Sequence, residues 1–278
     1  MKRVLSIQDI SCLGRCSQTV ALPVISAMGV ECVILPTAVL STHTMFQGFT
    51  CKDLSDQIRP VADHWEKEQI HFDAVYTGYL ASAEQIEDVC DVFRRFRDEH
   101  TLIFVDPAMA DHGKLYPAFG PEFPAEMAKV CAMADIVIPN LTEACLLTET
   151  PYQEAYDEDF IKSLLKKLCA MGAKKAVLTG VGFRPGELGV MAYDPEKEAY
   201  FSYFSRHLPT SYHGTGDLFS SACVGAMMDG SSLEEALKIA VDYTVECIHI
   251  TAEAGHEKYY GVEFERAIPY LLRRMGKV

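Results

Sequence analysis

Apolar positions in this chain fall into two alternating patterns: short unbroken runs, and longer stretches in which they recur three and four residues apart. Val4 to Ile7 is a buried-strand run that ends at Gln8-Asp9. After a loop from Ile10 to Arg15, the spacing predicts a helix from about Ser17 to Met28, stopped by Gly29. Cys32 to Leu35 reads as a second strand, and Thr37 to Thr50 as a polar loop rich in Thr, Ser and His. Leu54 to Lys67 fits an amphipathic helix, and Ala74 to Thr77 a strand ending at Gly78-Tyr79. Ser82 to Glu99 is a strong helix, with Ile86, Val89, Phe93 and Phe96 on one face. Leu102 to Val105 is a strand ending at Asp106-Pro107. Ile136 to Ile138 is another, ending at Pro139-Asn140, with a helix opening near Thr142-Glu143. Glu158 to Met171 is a helix closed by Gly172, and Ala176 to Leu178 a strand ending at Thr179-Gly180. Leu188 to Tyr193 and Ala199 to Phe204 form a strand pair joined by a turn at Asp194-Pro195. Helical stretches follow: the run behind Asp217, then Leu233 to Ala254 and Glu263 to Arg273.

Strands alternating with long helices predict an α/β fold, a mostly parallel central sheet with helices on both faces. No repeat, low-complexity tract or linker divides the sequence, so residues 1–278 are expected to form one domain. In such sheets ligands bind beyond the carboxyl ends of the strands. Asp9, Tyr79, Asp106, Asn140 and Thr179 each follow a short apolar strand, and together they predict one crevice.

Composition narrows the partners. Of 278 residues, 49% are hydrophobic, enough for a substantial core, and the formal net charge is −14. Nucleic acid and anionic membrane are bound through Lys and Arg excess, so neither is an expected partner. The N-terminal apolar run is too short for a signal peptide, and none elsewhere is long enough to span a membrane. The ten cysteines lie mostly singly inside apolar runs, apart from the Cys12/Cys16 pair. That pattern suits reduced thiols in a cytoplasmic protein better than disulfides or a zinc site.

The chemistry centres on His213-Gly214-Thr215-Gly216-Asp217-Leu218-Phe219-Ser220. Glycines at a helix start let a ligand approach the free N–H groups of the first turn, which with the dipole attract anions. A carboxylate at the same place repels a phosphate unless it serves as a base for the attacking hydroxyl. The competing reading is a helix entered through a Gly turn, with Asp217 an early-turn acid favoured by the dipole. Asp106 and Glu143 supply hard oxygen ligands of the kind that suit Mg²⁺ shared with phosphates; the local alternative is Glu143 as a first-turn acid capped by Asn140. Ser41-Thr42-His43-Thr44 reads equally as an ordinary polar turn, and Tyr79 as a core aromatic or a stacking surface.

The ordered set Ser6-Ile7-Gln8, Ser41-Thr42-His43-Thr44, Thr77-Gly78-Tyr79, Asp106-Pro107, Pro139-Asn140-Leu141-Thr142-Glu143 and Gly214-Thr215-Gly216-Asp217-Leu218-Phe219 resembles the pyridoxal kinases of the ribokinase-like superfamily. The resemblance runs over nearly the whole chain and implies the three-layer ribokinase-like fold. It implies ATP-dependent phosphorylation of the 5′-hydroxymethyl group of pyridoxal, pyridoxine or pyridoxamine, giving pyridoxal 5′-phosphate in vitamin B6 salvage. Asp217 would be the catalytic base, with the N–H groups of Gly214, Thr215 and Gly216 as the anion hole. Asp106, Asn140 and Glu143 would hold Mg²⁺ and the ATP phosphates, with Asp111 nearby and Thr179 on the nucleotide side. Thr44 and Tyr79 would hold the pyridine ring, with His43 in the same wall. The resemblance also implies a homodimer, with a monovalent cation a further candidate cofactor.

The sequence departs from the family pattern at Asp9, where Ser is usual, at Ala110 in place of Gly, at Ile138 where Thr is frequent, and in the loop Gly14 to Thr19. A carboxylate facing a pyridine nitrogen favours the protonated ring through a charge-assisted hydrogen bond of roughly 1.5–3 kcal/mol. It would serve the amino group of an aminopyrimidine equally well. Hydroxymethylpyrimidine kinases, which share the fold, are therefore the alternative enzyme class. A vitamer- or nucleotide-binding sensor without turnover is the alternative outside catalysis.

Overall fold

The short apolar runs pair side by side into a nine-stranded sheet. The computed structural model describes residues 1–210, 212–255 and 260–278. Among these the strands are β1 (Arg3–Ser11), β2 (Glu31–Leu40), β3 (Cys51–Asp53), β4 (Ala74–Thr77), β5 (Leu102–Val105), β6 (Ala110–Asp111), β7 (Lys114–Leu115), β8 (Ile136–Val137), β9 (Lys175–Val181), β10 (Glu187–Asp194) and β11 (Ala199–Arg206). The helices are α1 (Gln18–Ala27), α2 (Ser55–Lys67), α3 (Ala83–Phe96), α4 (Phe123–Cys131), α5 (Leu141–Leu147), α6 (Glu158–Ala170), α7 (Thr215–Met228), α8 (Leu233–Ala254) and α9 (Phe264–Arg274). The sheet order is β11-β10-β9-β8-β5-β4-β1-β2-β3, with β6-β7 a separate small hairpin. From β2 through β1, β4, β5 and β8 to β9 every pairing is parallel. β3, β10 and β11 add antiparallel edges.

Side chains alternate across this sheet and divide the interior in two. In β5, Ile103 and Val105 face one side and Phe104 the other; in β4, Val75 and Tyr76 part in the same way. One face is covered by α2 to α6, which contribute Ile58, Ile86, Met127, Ala144 and Leu164. The other is covered by α1, α7, α8 and α9, through Val24, Leu218, Ala240 and Leu271. These are the three layers expected of the ribokinase-like fold. Strands buried on both faces read as unbroken apolar runs, so the central ones were visible in the sequence.

Three differences have physical causes. Residues 37–40, expected in a loop, continue β2, because β1 runs on to Ser11 and pairs with Val39 and Leu40 while β3 pairs with Ala38, Val39 and Leu40. Asp9 and Thr179, expected just beyond strands, lie within β1 and β9; the β1–β2 register shifts between Gln8 and Ile10, which brackets Asp9. Helix α4 and the β6-β7 hairpin were not anticipated. The hairpin strands are two residues each and carry no periodicity.

The order of connection sets where a ligand can enter. β1 leads outward to β2 and β3, then the chain returns to β4 on the other side of β1. The crevice beyond β1 and β4 is the switch point of the sheet. Helix α7, between α1 and α8 and over β4, opens at that crevice.

Candidate active site

A cleft of about 1860 Å³ lies there, room for two small-molecule ligands where one usually fills 300–1,000 Å³. All of the candidate residues line it: Asp9, His43, Thr44 and Tyr79; Asp106, Asp111, Asn140, Glu143 and Thr179; and Gly214, Thr215, Gly216 and Asp217. The first group comes from the β4-β1-β2-β3 end of the sheet. The second comes from β5, β6, β8–α5 and β9 on the other side, and the α7 turn stands between them.

Gly214 caps α7 at φ 77°, and the first intrahelical bond runs from Leu218 N–H to Gly214 O. The residues of this first turn, Gly214, Thr215, Gly216 and Asp217, line the cleft, and the first N–H groups of a helix have no partner within it. A Cβ on Gly214 would stand 2.0 Å from the Arg15 carbonyl oxygen, so this close approach excludes any other residue.

The Asp217 side chain does not cap its own helix. Its Oδ2 accepts a hydrogen bond from the main-chain N–H of Ser17 at 2.9 Å. Burial pushes its pKa up to about 7; the Ser17 N–H opposes this, and the charges of Asp106 and Asp9 add to it. Asp106 is 8% exposed, accepts from the Ser220 hydroxyl at 2.7 Å, and is raised by burial to about 6. Asp9, also buried, accepts from the Ser11 hydroxyl at 3.0 Å and is raised by burial. A carboxyl poised near neutrality at the floor of a cleft is suited to take up a proton.

Asn140 and Glu143 form the capping box of α5: Asn140 Oδ1 accepts from Glu143 N–H at 3.0 Å, and Glu143 Oε2 from Asn140 N–H at 2.8 Å. Glu143 Oε1 also accepts the Met109 N–H at 3.0 Å and the Ala110 N–H at 3.4 Å. Burial and the Asp106 charge raise its pKa. The capping reading of this pair is thus realised, while both side chains still reach the cleft. Thr179 lies beside Asn140 in an isolated parallel bridge, and Asn140 Nδ2 donates to Ala110 O at 2.8 Å.

At the other end the His43 ring lies 4.3 Å from that of His213, and burial followed by the His43 charge lowers His213 to about 4. The His213 ring is therefore neutral at physiological pH. Tyr79 is half-buried, its ring 5.4 Å from Phe119. Thr44 and Asp111 are exposed at the rim.

The carboxyl groups of Asp9, Asp106, Asp111, Glu143, Glu154 and Asp217 line the cleft, against a single Arg or Lys among the described residues, Arg206. Such a lining admits a phosphate chain only with cations. Among the described residues no three His, Cys, Asp or Glu side chains converge as a metal cluster. One or two carboxylates plus phosphates and water are what Mg²⁺ uses, so the donor set fits a metal that arrives with its ligand.

Several lining residues escaped the sequence reading. Ser220 follows Asp217 by three positions on the same helix, a spacing that marks a shared face. Val241, Thr244, Val245 and Ile248 form one stripe of α8 that lines the cleft, visible as spacing but indistinguishable there from a core stripe. Ser17 reads in the sequence only as the start of a helix.

A family model described as phosphomethylpyrimidine kinase matches residues 22–261. The pyridoxal kinase PdxY of Haemophilus influenzae is 28% identical, over 92% of this chain and 91% of its own. A Bacteroides thetaiotaomicron protein, described as a phosphomethylpyrimidine kinase and crystallised with pyridoxal, superposes with a TM-score of 0.92 and 36% identity, covering 97% of this chain and 95% of that one. The pyridoxal kinase of Lactobacillus plantarum superposes with a TM-score of 0.90 and 31% identity, covering 98% and 97%.

Proposed function

The chain belongs to the phosphomethylpyrimidine kinase family, and within it we propose that the protein is an ATP-dependent kinase of pyridoxal and its sister vitamers. The observation that carries this is Asp217, a carboxyl near neutrality at the first turn of α7 beside that turn's main-chain N–H groups in a cleft large enough for two ligands. Relatives matched over nearly the whole chain are pyridoxal kinases, and the Bacteroides protein of the family's own name was crystallised with pyridoxal.

In this reading Asp217 takes the proton of the acceptor's hydroxymethyl group as that oxygen attacks the terminal phosphorus of ATP. The new O–P bond forms as the bond to the leaving diphosphate breaks, and its electron pair departs with ADP. The N–H groups at the start of α7, those of Gly214, Thr215 and Gly216, stabilise charge on the transferring group, where most of this catalysis lies. Asp9, His43, Thr44 and Tyr79 bind the acceptor ring; Asp106, Asp111, Asn140 and Thr179 face the nucleotide. Asp106 and Glu143 would hold Mg²⁺, which when bound neutralises phosphate charge; Glu143, already accepting three N–H groups, would reach it through water. A homodimer of single-domain chains in the cytoplasm belongs to the same proposal. Among the described residues no helix is long and apolar enough to cross a membrane.

The family model's description and the Asp9 carboxyl favour hydroxymethylpyrimidine as a second acceptor. A panel of pyridoxal, pyridoxine, pyridoxamine and hydroxymethylpyrimidine with ATP and Mg²⁺, read by ADP release, decides between them. Highest kcat/KM on a B6 vitamer is expected; preference for the pyrimidine reverses the order, and vitamer binding without ADP release leaves a sensor.

A further inference from the structure

Tyr79 follows β4 closely and lines the cleft, half-buried. A phenol ring turns about its side-chain bonds, so something must set its angle before it can serve as a flat wall. Among the described residues no hydrogen bond ties the Tyr79 hydroxyl. Its one ring contact among them is with Phe119, with centroids 5.4 Å and planes 32° apart. Phe119 is not itself a lining residue of the cleft; it packs, half-buried, against the core on the α2 to α6 side of the sheet.

The segment between β7 and α4 holds Phe119 in place. Its ring stacks on Phe123, the first residue of α4, with centroids 3.8 Å and planes 8° apart. Phe123 is 6% exposed and belongs to the core, so the stack has a fixed base. Tyr116 adds a second ring against Phe119 at 6.4 Å. The main chain pins the same turns: Phe119 N–H donates to the Tyr116 carbonyl at 3.0 Å, and Phe123 N–H to the Gly120 carbonyl at 3.1 Å. Tyr116 N–H in turn donates to the Met109 carbonyl at 2.9 Å. Apolar bulk alone would fill the space behind Tyr79. A ring seated between other rings also fixes an angle, because aromatic pairs prefer particular orientations.

We propose that Phe119 is a positioning residue for the acceptor site: its ring, seated on Phe123, sets the angle of Tyr79 and so the flat wall against which the acceptor's aromatic ring lies. This rests on the kinase reading above. Phe119→Leu and Phe119→Met keep apolar bulk but remove the ring face, whereas Phe119→Tyr keeps the ring. Both ringless variants are expected to lower kcat/KM for pyridoxal about five- to tenfold, chiefly through KM, with KM for ATP changed by less than about twofold. Phe119→Tyr should stay within about twofold of the wild type on both substrates. In a Tyr79→Leu background, adding Phe119→Leu should lower kcat/KM for pyridoxal by less than about twofold more, since a residue that acts only through Tyr79 has nothing left to position. A wild type without turnover on the acceptor panel would overturn the kinase reading itself. With an active wild type, undiminished ringless variants would overturn the positioning role alone. So would an equal rise in KM for ATP, a Phe119→Tyr variant as impaired as Phe119→Leu, or full additivity of the Phe119 and Tyr79 substitutions.

Discussion

Replacing Asp217 by Asn should make the protein more stable at high pH while disabling it. The carboxyl is raised from 3.8 to about 7 in the fold, chiefly by burial. Between those values the native state keeps a proton that the unfolded chain has released, so stability falls as pH rises through the window and the full penalty applies above 7. A rise of about three pH units at roughly 1.4 kcal/mol each sets a ceiling of about 4 kcal/mol. Part of the Asp217 surface stays open to the cleft, where water screens it, so about 1–2 kcal/mol is the expected gain. Asn keeps the shape and an oxygen for the Ser17 N–H, so little is lost in exchange. At about 2.1 cal/mol/K per residue, unfolding this chain carries roughly 0.6 kcal/mol/K, and the gain corresponds to about 2–3 °C. Thermal melts of the ligand-free wild type and Asp217→Asn at pH 4, 6 and 8 should show curves that nearly coincide at pH 4 and separate by pH 8. A variant less stable at pH 8, or a difference independent of pH, would refute the argument that the fold forces a proton onto this carboxyl.

The raised base also predicts that kcat/KM for the acceptor climbs about tenfold per pH unit below roughly pH 7 and then levels; a flat profile from pH 5 to 8 would contradict it. Gly214→Ala puts a Cβ 2.0 Å from the Arg15 carbonyl oxygen at φ 77°, and should cost roughly 2–4 kcal/mol in denaturant titration, with turnover falling as the α7 turn shifts; a loss under about 0.5 kcal/mol would show that the turn has slack. Asp9→Ser, which restores the residue usual in the family, should raise KM for the preferred vitamer several-fold and leave KM for ATP unchanged if the carboxyl recognises a ring cation; an unchanged acceptor KM removes that contact.

What the sequence made legible, and what it did not, follows from the range over which each feature is determined. Val75, Ile103 and Val177 sit in strands enclosed on both faces, and such strands announce themselves as local apolar runs. Ser82 and Gly172 mark helix ends through their own chemistry, and Ser82 does accept the Gln85 N–H at 3.2 Å. Thr37 and Ala38 extend β2 only because β1 and β3 flank them, which no local pattern records. At the site, the Gly-Thr-Gly-Asp turn carried its signal in four adjacent residues. The tie from Ser17 to Asp217 spans 200 positions, beyond the reach of any local pattern. Asn140 and Glu143 show a third case, since one local pattern satisfied both its capping reading and its place at the cleft.

The central claim is that Asp217 removes the proton of the acceptor alcohol, and turnover of Asp217→Asn with pyridoxal, ATP and Mg²⁺ tests it most directly. ADP release at least about 100-fold slower than wild type is predicted, with ATP binding intact by calorimetry. Near-normal ADP release from that variant would contradict the account.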